Sequence, residues 1–266
     1  MKKTDKITII IPVYNEMPWL IRCLSSVARQ SIIPEVIIID DGSTDGSGTV
    51  CDQYADKYGF RVYHIENSGV SHARNYGLDH TETEFVTFLD SDDEMADEGV
   101  RVLLEASKLD ENIVMLNHWR QYSDQPPVPK MNLEGVYGLH NRPSQWWGVW
   151  NKLYKTSFIR DNNVRFWEDM HFGEDEMFNL ELLIVNETFL QIGGAALIRH
   201  FNNRNSLVHT MSAPEVIRQD EALHELILKL EEKGEDQRKI EAVHDIIAEH
   251  RASKLYEKHL NGLKCF

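Results

Sequence analysis

Three short apolar runs in the first 90 residues each end abruptly in polar and acidic residues, and no other feature of the chain constrains the fold as strongly. The runs at 7–11, 36–39 and 85–89 are rich in β-branched and aromatic residues, which predicts buried strands. The segments between them carry apolar residues at helical spacing, so the alternation predicts an α/β sheet. Ligands of open α/β sheets bind outside the carboxyl ends of the strands, where these polar residues would gather.

The third run is followed directly by Asp-Ser-Asp-Asp at 90–93. Three carboxylates that share one small volume need a counter-charge, and hard divalent cations such as Mg²⁺ or Mn²⁺ prefer oxygen ligands of this kind. A simple acidic turn would use the same residues, because Asp and Ser favour turns. A second acidic strand end, Asp-Asp at 40–41, favours the metal site, since both segments would lie at one edge of the sheet.

Composition and charge restrict the class of protein. At 266 residues the chain can bury a full core, and the net charge of −15 disfavours general attraction to nucleic acid or anionic lipid. No apolar run reaches the ~20 residues that span a bilayer, and no signal peptide is evident, so we expect a cytoplasmic protein. Three cysteines without framework spacing agree with a reducing compartment, with Cys23 and Cys51 as small core residues of helices.

The polar segments together resemble the motifs of the inverting family 2 glycosyltransferases, which have the GT-A fold. The resemblance implies a Rossmann-like, mostly parallel central sheet flanked by helices, and an enzyme that transfers a sugar from a nucleotide sugar. It covers roughly residues 6–208. The blocks that carry it are Pro-Val-Tyr-Asn-Glu at 12–16, Asp-Asp-Gly-Ser-Thr-Asp at 40–45, Asn-Ser-Gly-Val-Ser-His-Ala-Arg-Asn at 67–75, Leu-Asp-Ser-Asp-Asp at 89–93 and Gly-Glu-Asp-Glu-Met-Phe-Asn-Leu at 173–180.

The expected organisation is a GT-A domain at 1–210 followed by a C-terminal helical extension at 211–266. Within the domain, residues 1–116 alternate strands and helices and would form the nucleotide-sugar-binding half. Residues 117–210 would form the acceptor-side half, and the resemblance implies that they shape the acceptor side of the cleft.

Two segments outside the motifs are less regular. The prolines at 126–129 forbid a helix or an interior strand, so this segment is either an active-site loop or a plain surface connection. Two helices predicted at about 215–233 and 235–260 each carry an apolar stripe that would pack on the sheet domain or on a second copy of the chain. Basic residues late in the chain would also let the last helix rest on an anionic membrane surface at the inner face.

Residues after the first two strands are candidates for nucleotide binding. Tyr14 could stack on a nucleobase, and Asp41 could accept a hydrogen bond from a ring N–H such as that of uracil. The resemblance implies nucleotide contacts for Pro12, Tyr14, Glu16 and Asp41, so a UDP-sugar is the expected donor. Arg74 is assigned to the same donor site, where it would contact a phosphate or hold the acidic cluster together; both readings stay open.

The resemblance implies that Asp92 is the direct ligand of the expected cofactor, Mn²⁺ or Mg²⁺. Asp90 would face the ribose or a metal-bound water, and Asp93 is the third member, so both are assigned to the donor site. A histidine after the last strand can also coordinate the metal in GT-A enzymes, which makes His200 and His209 candidates. His200 is favoured because it ends a predicted strand.

Acceptor-side residues come from the second half of the chain. The resemblance implies that Asp175 is the general base, with Glu174 beside it, although a carboxylate at this position could also simply cap a helix. Trp147 and Trp150 could offer a stacking face to a sugar, although core packing is the commoner role of tryptophan. Arg204 lies in a polar segment, 201–208, that we expect to close over the donor diphosphate.

The acceptor itself is open at this level. We expect a hydroxyl of a glycan or of a lipid-linked saccharide. A modified nucleic-acid base or a protein side chain would need the same fold and chemistry, and only the basic residues near the end of the chain favour nucleic acid. A catalytically silent nucleotide-sugar-binding module is the third alternative, against which the full set of acidic motif residues argues.

Overall fold

The computed structural model describes residues 2–122, 126–130, 134–143, 146–200 and 213–252. Its strands are β1 (Lys2–Val13), β2 (Ile32–Asp40), β3 (Arg61–His64), β4 (Phe85–Phe88), β5 (Glu94–Met95), β6 (Ile113–Gln121), β7 (Val128–Lys130), β8 (Gly135–Gly138), β9 (Lys152–Lys155) and β10 (Thr188–His200). Its helices are α1 (Met17–Ala28), α2 (Ser47–Tyr58), α3 (Val70–Asp79), α4 (Gly99–Ala106), α5 (Thr156–Asp161), α6 (Glu174–Asn186), α7 (Ala213–Glu232) and α8 (Gln237–Ala252), with a 3₁₀ turn at Ser107–Leu109.

These described strands form one sheet, in which the order along the main path is β3-β2-β1-β4-β9-β6-β10-β5. Strands β1 to β4 are parallel, as the alternation of strands and helices predicts. β9 lies antiparallel between β4 and β6, and β10 returns parallel to β6. The expected parallel arrangement therefore describes the first half of the sheet, and the second half is mixed.

Helices cover both faces of the sheet, because the central strands are buried on both sides. In β1, Ile9 and Ile11 pack in the cluster that contains α1, α2 and α4. Ile10, which points to the opposite face, packs in the cluster that contains Leu78 of α3 and the apolar faces of α6, α7 and α8. Because β1, β2 and β4 are parallel, their carboxyl ends lie at the same end of the sheet, where the polar motifs that follow them can meet.

The C-terminal helices pack on the sheet domain. The apolar stripe of α7, which includes Leu223, Leu226 and Leu230, lies in the same core cluster as Phe178 of α6. Val243 of α8 belongs to that cluster too. The apolar stripes of both helices therefore pack on the sheet domain of the same chain. No described helix is long and apolar enough to cross a membrane.

Two local features differ from the sequence prediction. The strand pattern before His200 is interrupted by two glycines and predicts two strands, at 188–192 and 195–200, but the structure has one strand, β10, whose pairing with β6 shifts register at these glycines. Gly194 has a left-handed φ of 92°, which permits this bulge. The proline segment supplies a short strand, β7, in which Pro129 lies opposite Trp119 of β6, as an edge position allows.

Candidate active site

A cavity of about 940 Å³ opens at the carboxyl ends of the parallel strands. The segments that line it follow β1, β2 and β4, and further walls come from α3, from the start of α6 and from the end of β10. Pro12, Tyr14, Glu16, Asp41 and Arg74 all line this cavity. Asp90, Asp92, Trp147, Glu174 and Asp175 line it as well. The sequence motifs therefore converge on one site, although they span 164 positions from Pro12 to Asp175.

At one rim of the cavity, the segments after β1 and β2 hold each other in place. The segment after β1 is fixed by the segment after β2: the backbone N–H of Asn15 donates to Ser43 Oγ at 3.0 Å, and that of Met17 donates to Asp45 Oδ2 at 3.0 Å. In return, Asn15 Oδ1 accepts the N–H of Thr44 at 2.8 Å. Asn15 adopts a left-handed φ of 54°, a conformation that Asn tolerates better than most residues. Tyr14 remains 48% exposed at this rim, so its ring is accessible to a ligand.

Asp41 has a structural role that its position after β2 did not reveal. Its two carboxylate oxygens accept the backbone N–H groups of Ser68 and Gly69, each at 2.8 Å. These bonds fix the loop that leads into α3. Asp41 also lines the cavity, and its assignment to nucleotide binding stays a prediction. Each of its carboxylate oxygens already accepts one backbone hydrogen bond.

Behind this rim lies the acidic cluster after β4. Carboxylate oxygens of Asp90, Asp92 and Asp93 lie within 4.8 Å of one another. Helix α1 holds the backbone of this turn, because Arg22 donates to the carbonyl oxygen of Asp92 at 2.6 Å and the Cys23 thiol approaches that of Asp90 at 3.7 Å. Divalent cations are commonly bound by such convergent carboxylates.

Asp93 and His200 lie on the inner side of this cluster. Asp93 is buried, does not line the cavity, and accepts the backbone N–H of His200 at 2.7 Å. Burial and the nearby charges of Asp92 and Asp90 raise the pKa of Asp93 well above its usual range. Its assignment to the donor site therefore stays a prediction, with a side chain that is buried beside Asp90 and Asp92 and does not line the cavity.

His200 is not a member of the carboxylate group that could hold an ion. Its Nε2 lies 2.8 Å from Glu94 Oε1, whereas its buried Nδ1 has no hydrogen-bond partner among the described residues. One ring nitrogen is thus engaged by Glu94, and the role of His200 as a metal ligand stays a prediction that would rest on Nδ1. His209 and Arg204, the other expected ligand and the expected lid residue, lie outside the described residues.

The sequence left open whether Arg74 contacts a phosphate or holds the acidic cluster together, and its hydrogen bonds in the structure favour the second role. Its buried guanidinium donates to Glu174 Oε1 at 2.9 Å, Asp175 Oδ1 at 2.8 Å and Asp90 Oδ1 at 3.0 Å. Burial opposes the charge on Arg74, but the three carboxylates raise its pKa above the ordinary value. Arg74 therefore joins the acidic cluster after β4 to the Glu-Asp motif of α6, two segments that lie more than 80 positions apart.

The proposed base, Asp175, is partly buried and lines the cavity. Burial raises its pKa to about 7, with Arg74 opposing the shift and Glu174 and Asp90 adding to it. The backbone N–H of Val149 donates to Asp175 Oδ2 at 3.4 Å. A carboxylate whose pKa lies near neutrality can accept a proton from a hydroxyl and release it again, as general base catalysis requires.

The two tryptophans separate into different roles. Trp147 lines the cavity, and Arg199 lies over its ring at 5.6 Å from the centroid. Trp150 is only 2% exposed and lies under Trp147, with the ring centroids 6.3 Å apart. Trp150 therefore packs against Trp147 and does not line the cavity, and its assignment to the acceptor side stays a prediction.

Sequence reasoning missed the side chains that the C-terminal helices bring to the cavity. Glu215, Val216 and Gln219 of α7 and His250 of α8 line it beside Glu176. The spacing of these polar residues does not predict a binding site. Their helices have the pattern of an apolar face that packs on the domain and a polar face that is exposed to solvent. Their contact with the site depends on the tertiary docking of both helices.

The comparisons with known proteins agree with this fold and site. The sequence profile described as "Glycosyl transferase family 2" matches residues 8–181, well over half of the chain. The chain therefore belongs to glycosyltransferase family 2.

Among relatives, the "Uncharacterized glycosyltransferase EpsJ" of Bacillus subtilis is 32% identical over 189 residues, which are 65% of this chain and 55% of that protein. The "Poly(ribitol-phosphate) beta-N-acetylglucosaminyltransferase TarS" of Staphylococcus aureus is 26% identical over 194 residues, 66% of this chain and 32% of that protein. The chain thus spans about half of one relative's length and a third of the other's.

Solved structures show the same architecture. S. aureus TarS 1-349 in complex with UDP-GlcNAc superposes with a TM-score of 0.78 at 20% identity, over 92% of this chain and 72% of that one. The mannosyltransferase PcManGT from Pyrobaculum calidifontis, in complex with GDP-Man and Mn²⁺, gives a TM-score of 0.61 at 16% identity, over 92% and 69%. At these identities the likeness concerns the fold, which is the GT-A architecture that the motifs implied.

Proposed function

We propose that this protein is a metal-dependent inverting glycosyltransferase that moves a sugar from a UDP-sugar to a hydroxyl of a glycan or lipid-linked saccharide. The observation that carries the proposal is the Arg74 network, which holds a cluster of candidate metal ligands and a candidate base at fixed positions in one cavity. Two structural neighbours, one in complex with UDP-GlcNAc and the other with GDP-Man and Mn²⁺, support a nucleotide-sugar donor.

The residues present fit a divalent cation. Three carboxylates converge, two of them line the open cavity, and the third is buried behind them. Nδ1 of the adjoining His200, which has no hydrogen-bond partner among the described residues, is one more ligand atom in this corner. Asp90 and Asp92 would hold the ion, which when bound would neutralise the charge on the leaving diphosphate.

The donor would lie with its base near Tyr14 and its diphosphate near Asp92. In the transfer step the acceptor oxygen attacks the anomeric carbon from the face opposite the diphosphate, and a new C–O bond forms. The bond between the anomeric carbon and the phosphate oxygen breaks, and UDP leaves with its electron pair. Asp175 Oδ1 or Oδ2 accepts the acceptor's proton, while Arg74 fixes this carboxylate toward the cavity.

Substitution of Asp175 by Asn tests the assignment. Asn keeps the shape but cannot accept the proton as a carboxylate does, so transfer should fall by roughly two to four orders of magnitude. UDP affinity, measured by calorimetry with Mn²⁺, should stay near wild type because Asp175 lies on the acceptor side.

A capping role would give the opposite result. Asn serves nearly as well as Asp at a helix start, so near-wild-type transfer by Asp175→Asn would assign Asp175 to capping. The base would then have to be Glu174, and Glu174→Gln is the control that separates the two carboxylates.

A further inference from the structure

The wall of the cavity beside the proposed base is built by three polar side chains that hold one another. Glu176 lies one residue beyond Asp175 on α6, and its carboxylate is buried. Gln219 Nε2 of α7 donates to Glu176 Oε2 at 2.7 Å. His250 Nε2 of α8 lies 3.0 Å from the same oxygen and 3.2 Å from Oε1. One carboxylate thus fixes a side chain from each C-terminal helix, and all three residues line the cavity.

Gln219 lies unusually close to the start of α6. Gly173 has a left-handed φ of 78°, and a Cβ at this position would lie 2.5 Å from Gln219 Nε2. The absence of a side chain at residue 173 is therefore what lets Gln219 approach the turn that leads into Glu174 and Asp175. An acceptor whose hydroxyl reaches Asp175 must have its neighbouring atoms within reach of this wall or of Trp147.

The charge of this wall restricts what it can bind. Among the described residues at this end of the cavity, Glu174, Glu176 and Glu215 bring carboxylates beside Asp175. The cations here already lie against acidic groups or indole rings: Arg74 bonds three carboxylates, His250 bonds Glu176, and Arg199 stacks on Trp147. An acceptor that carries a phosphate next to the reacting hydroxyl would be repelled.

We propose that Gln219 and His250 are specificity-determining residues that recognise the acceptor, and that they select a neutral, hydroxyl-bearing unit such as an unphosphorylated sugar. Glu176 is the positioning residue that aims both side chains. The amide of Gln219 and the imidazole of His250 offer donors and acceptors that suit hydroxyl groups, and Trp147 adds an apolar ring face. This assignment rests on the proposed function, since it names the acceptor class of the same site.

The test compares matched probes and matched variants. The acceptor probes are the methyl glycosides of glucose, galactose and N-acetylglucosamine, each paired with its own 6-phosphate. Release of UDP from UDP-sugars is measured against probe concentration, and UDP affinity is measured separately by calorimetry with Mn²⁺. The variants are Gln219→Met and His250→Phe, with Gln237→Met and His224→Phe as controls, because these two lie exposed on α8 and α7 and do not line the cavity.

We expect neutral glycosides to accelerate UDP release and their 6-phosphates to be at least about 10-fold less effective, the effect of an adjacent repulsive charge. Gln219→Met and His250→Phe should each raise the KM for the neutral probe about 3- to 10-fold, the worth of one hydrogen bond. UDP affinity, probe-independent UDP release and both control variants should stay at wild-type values. His250→Gln, which can still donate to Glu176, should recover part of the loss and shows that the effect is not one of misfolding.

An unchanged KM in both cavity variants, a preference for the 6-phosphates, or no response to any neutral glycoside would overturn this assignment while UDP binding stands. Failure of the wild type to bind UDP at all would instead overturn the proposed function, and the calorimetry reports that outcome independently of the acceptor probes.

Discussion

Replacement of Arg74 by Met is the sharpest test of the charge network at the centre of this protein. Met matches the length of the buried stem and can keep contact with the Phe166 ring, over which the guanidinium lies at 5.3 Å. What it removes is the positive charge that bonds Asp90, Glu174 and Asp175. Three carboxylates would then share a buried region with no shared cationic partner from α3.

The expected loss of stability is large. Removal of one partner from a buried ion pair typically costs about 3–5 kcal/mol, because the remaining charge stays desolvated. Arg165→Met is the matched control, since Arg165 forms a bidentate pair with Asp79 at 2.6 and 2.7 Å on the surface. Exposed pairs of this kind contribute only about 0–1 kcal/mol.

The dependence on pH gives a second, independent check. Without Arg74, the pKa of Asp175 loses the influence that lowers it, so the folded variant binds this proton even more tightly than the wild-type fold, in which the pKa is already raised to about 7. Such a group costs stability above the unfolded pKa, and the cost shrinks as the pH falls. The deficit of Arg74→Met should therefore be smaller at about pH 5 than at about pH 8.

Urea denaturation at both values, followed by circular dichroism, measures this difference. A deficit at about pH 8 no larger than that of Arg165→Met, or one that does not change with pH, would refute the electrostatic account of the network.

Three further predictions concern single positions. Asp92→Asn should make UDP affinity insensitive to chelation, whereas the wild type should lose affinity with EDTA; calorimetry with and without the chelator decides, and equal wild-type affinities would refute the metal site. Gly173→Ala should lower the free energy of unfolding by roughly 1–3 kcal/mol, because its φ of 78° is left-handed and the new Cβ would meet Gln219; an unchanged melting temperature would contradict this. Burial lowers the pKa of Lys152 to about 7, below its value in the unfolded chain. The wild type should therefore gain stability relative to Lys152→Met as the pH rises above about 7. Urea denaturation that shows no such trend would count against a buried neutral amine.

The first half of the fold follows closely from local sequence. Helices α2 and α3 lie in segments whose apolar spacing predicts helices, and each starts directly after a glycine. The pairs β1–β2 and β2–β3 each join strands linked by a single helix, as a right-handed crossover favours, and β4 then adds to the other side of β1. The site residues contributed by these strand ends were predictable for the same reason.

The second half depends on contacts that no local pattern encodes. Strand β9 lies between β4 and β6, a position that the sequence does not predict. Trp150, just before β9, is buried in the structure, although its sequence context does not distinguish it from an exposed aromatic residue of a loop. Asp92 lines the cavity, whereas Asp93, the next residue, is buried and does not. The sequence pattern that marks a carboxylate cluster cannot tell which member faces the ligand.

The Arg74 network explains why widely spaced motifs occur together in this chain. Asp90 of the acidic cluster raises the pKa of Asp175, the proposed base, because two negative groups in one partly buried region oppose each other's charge. A single buried guanidinium bonded to both motifs lowers that cost and fixes the distance between them. The third motif, whose helix supplies Arg74, is therefore required by the fourth and fifth on electrostatic grounds. Asp41 in turn fixes the loop before that helix, so the second motif positions the guanidinium that the later motifs need.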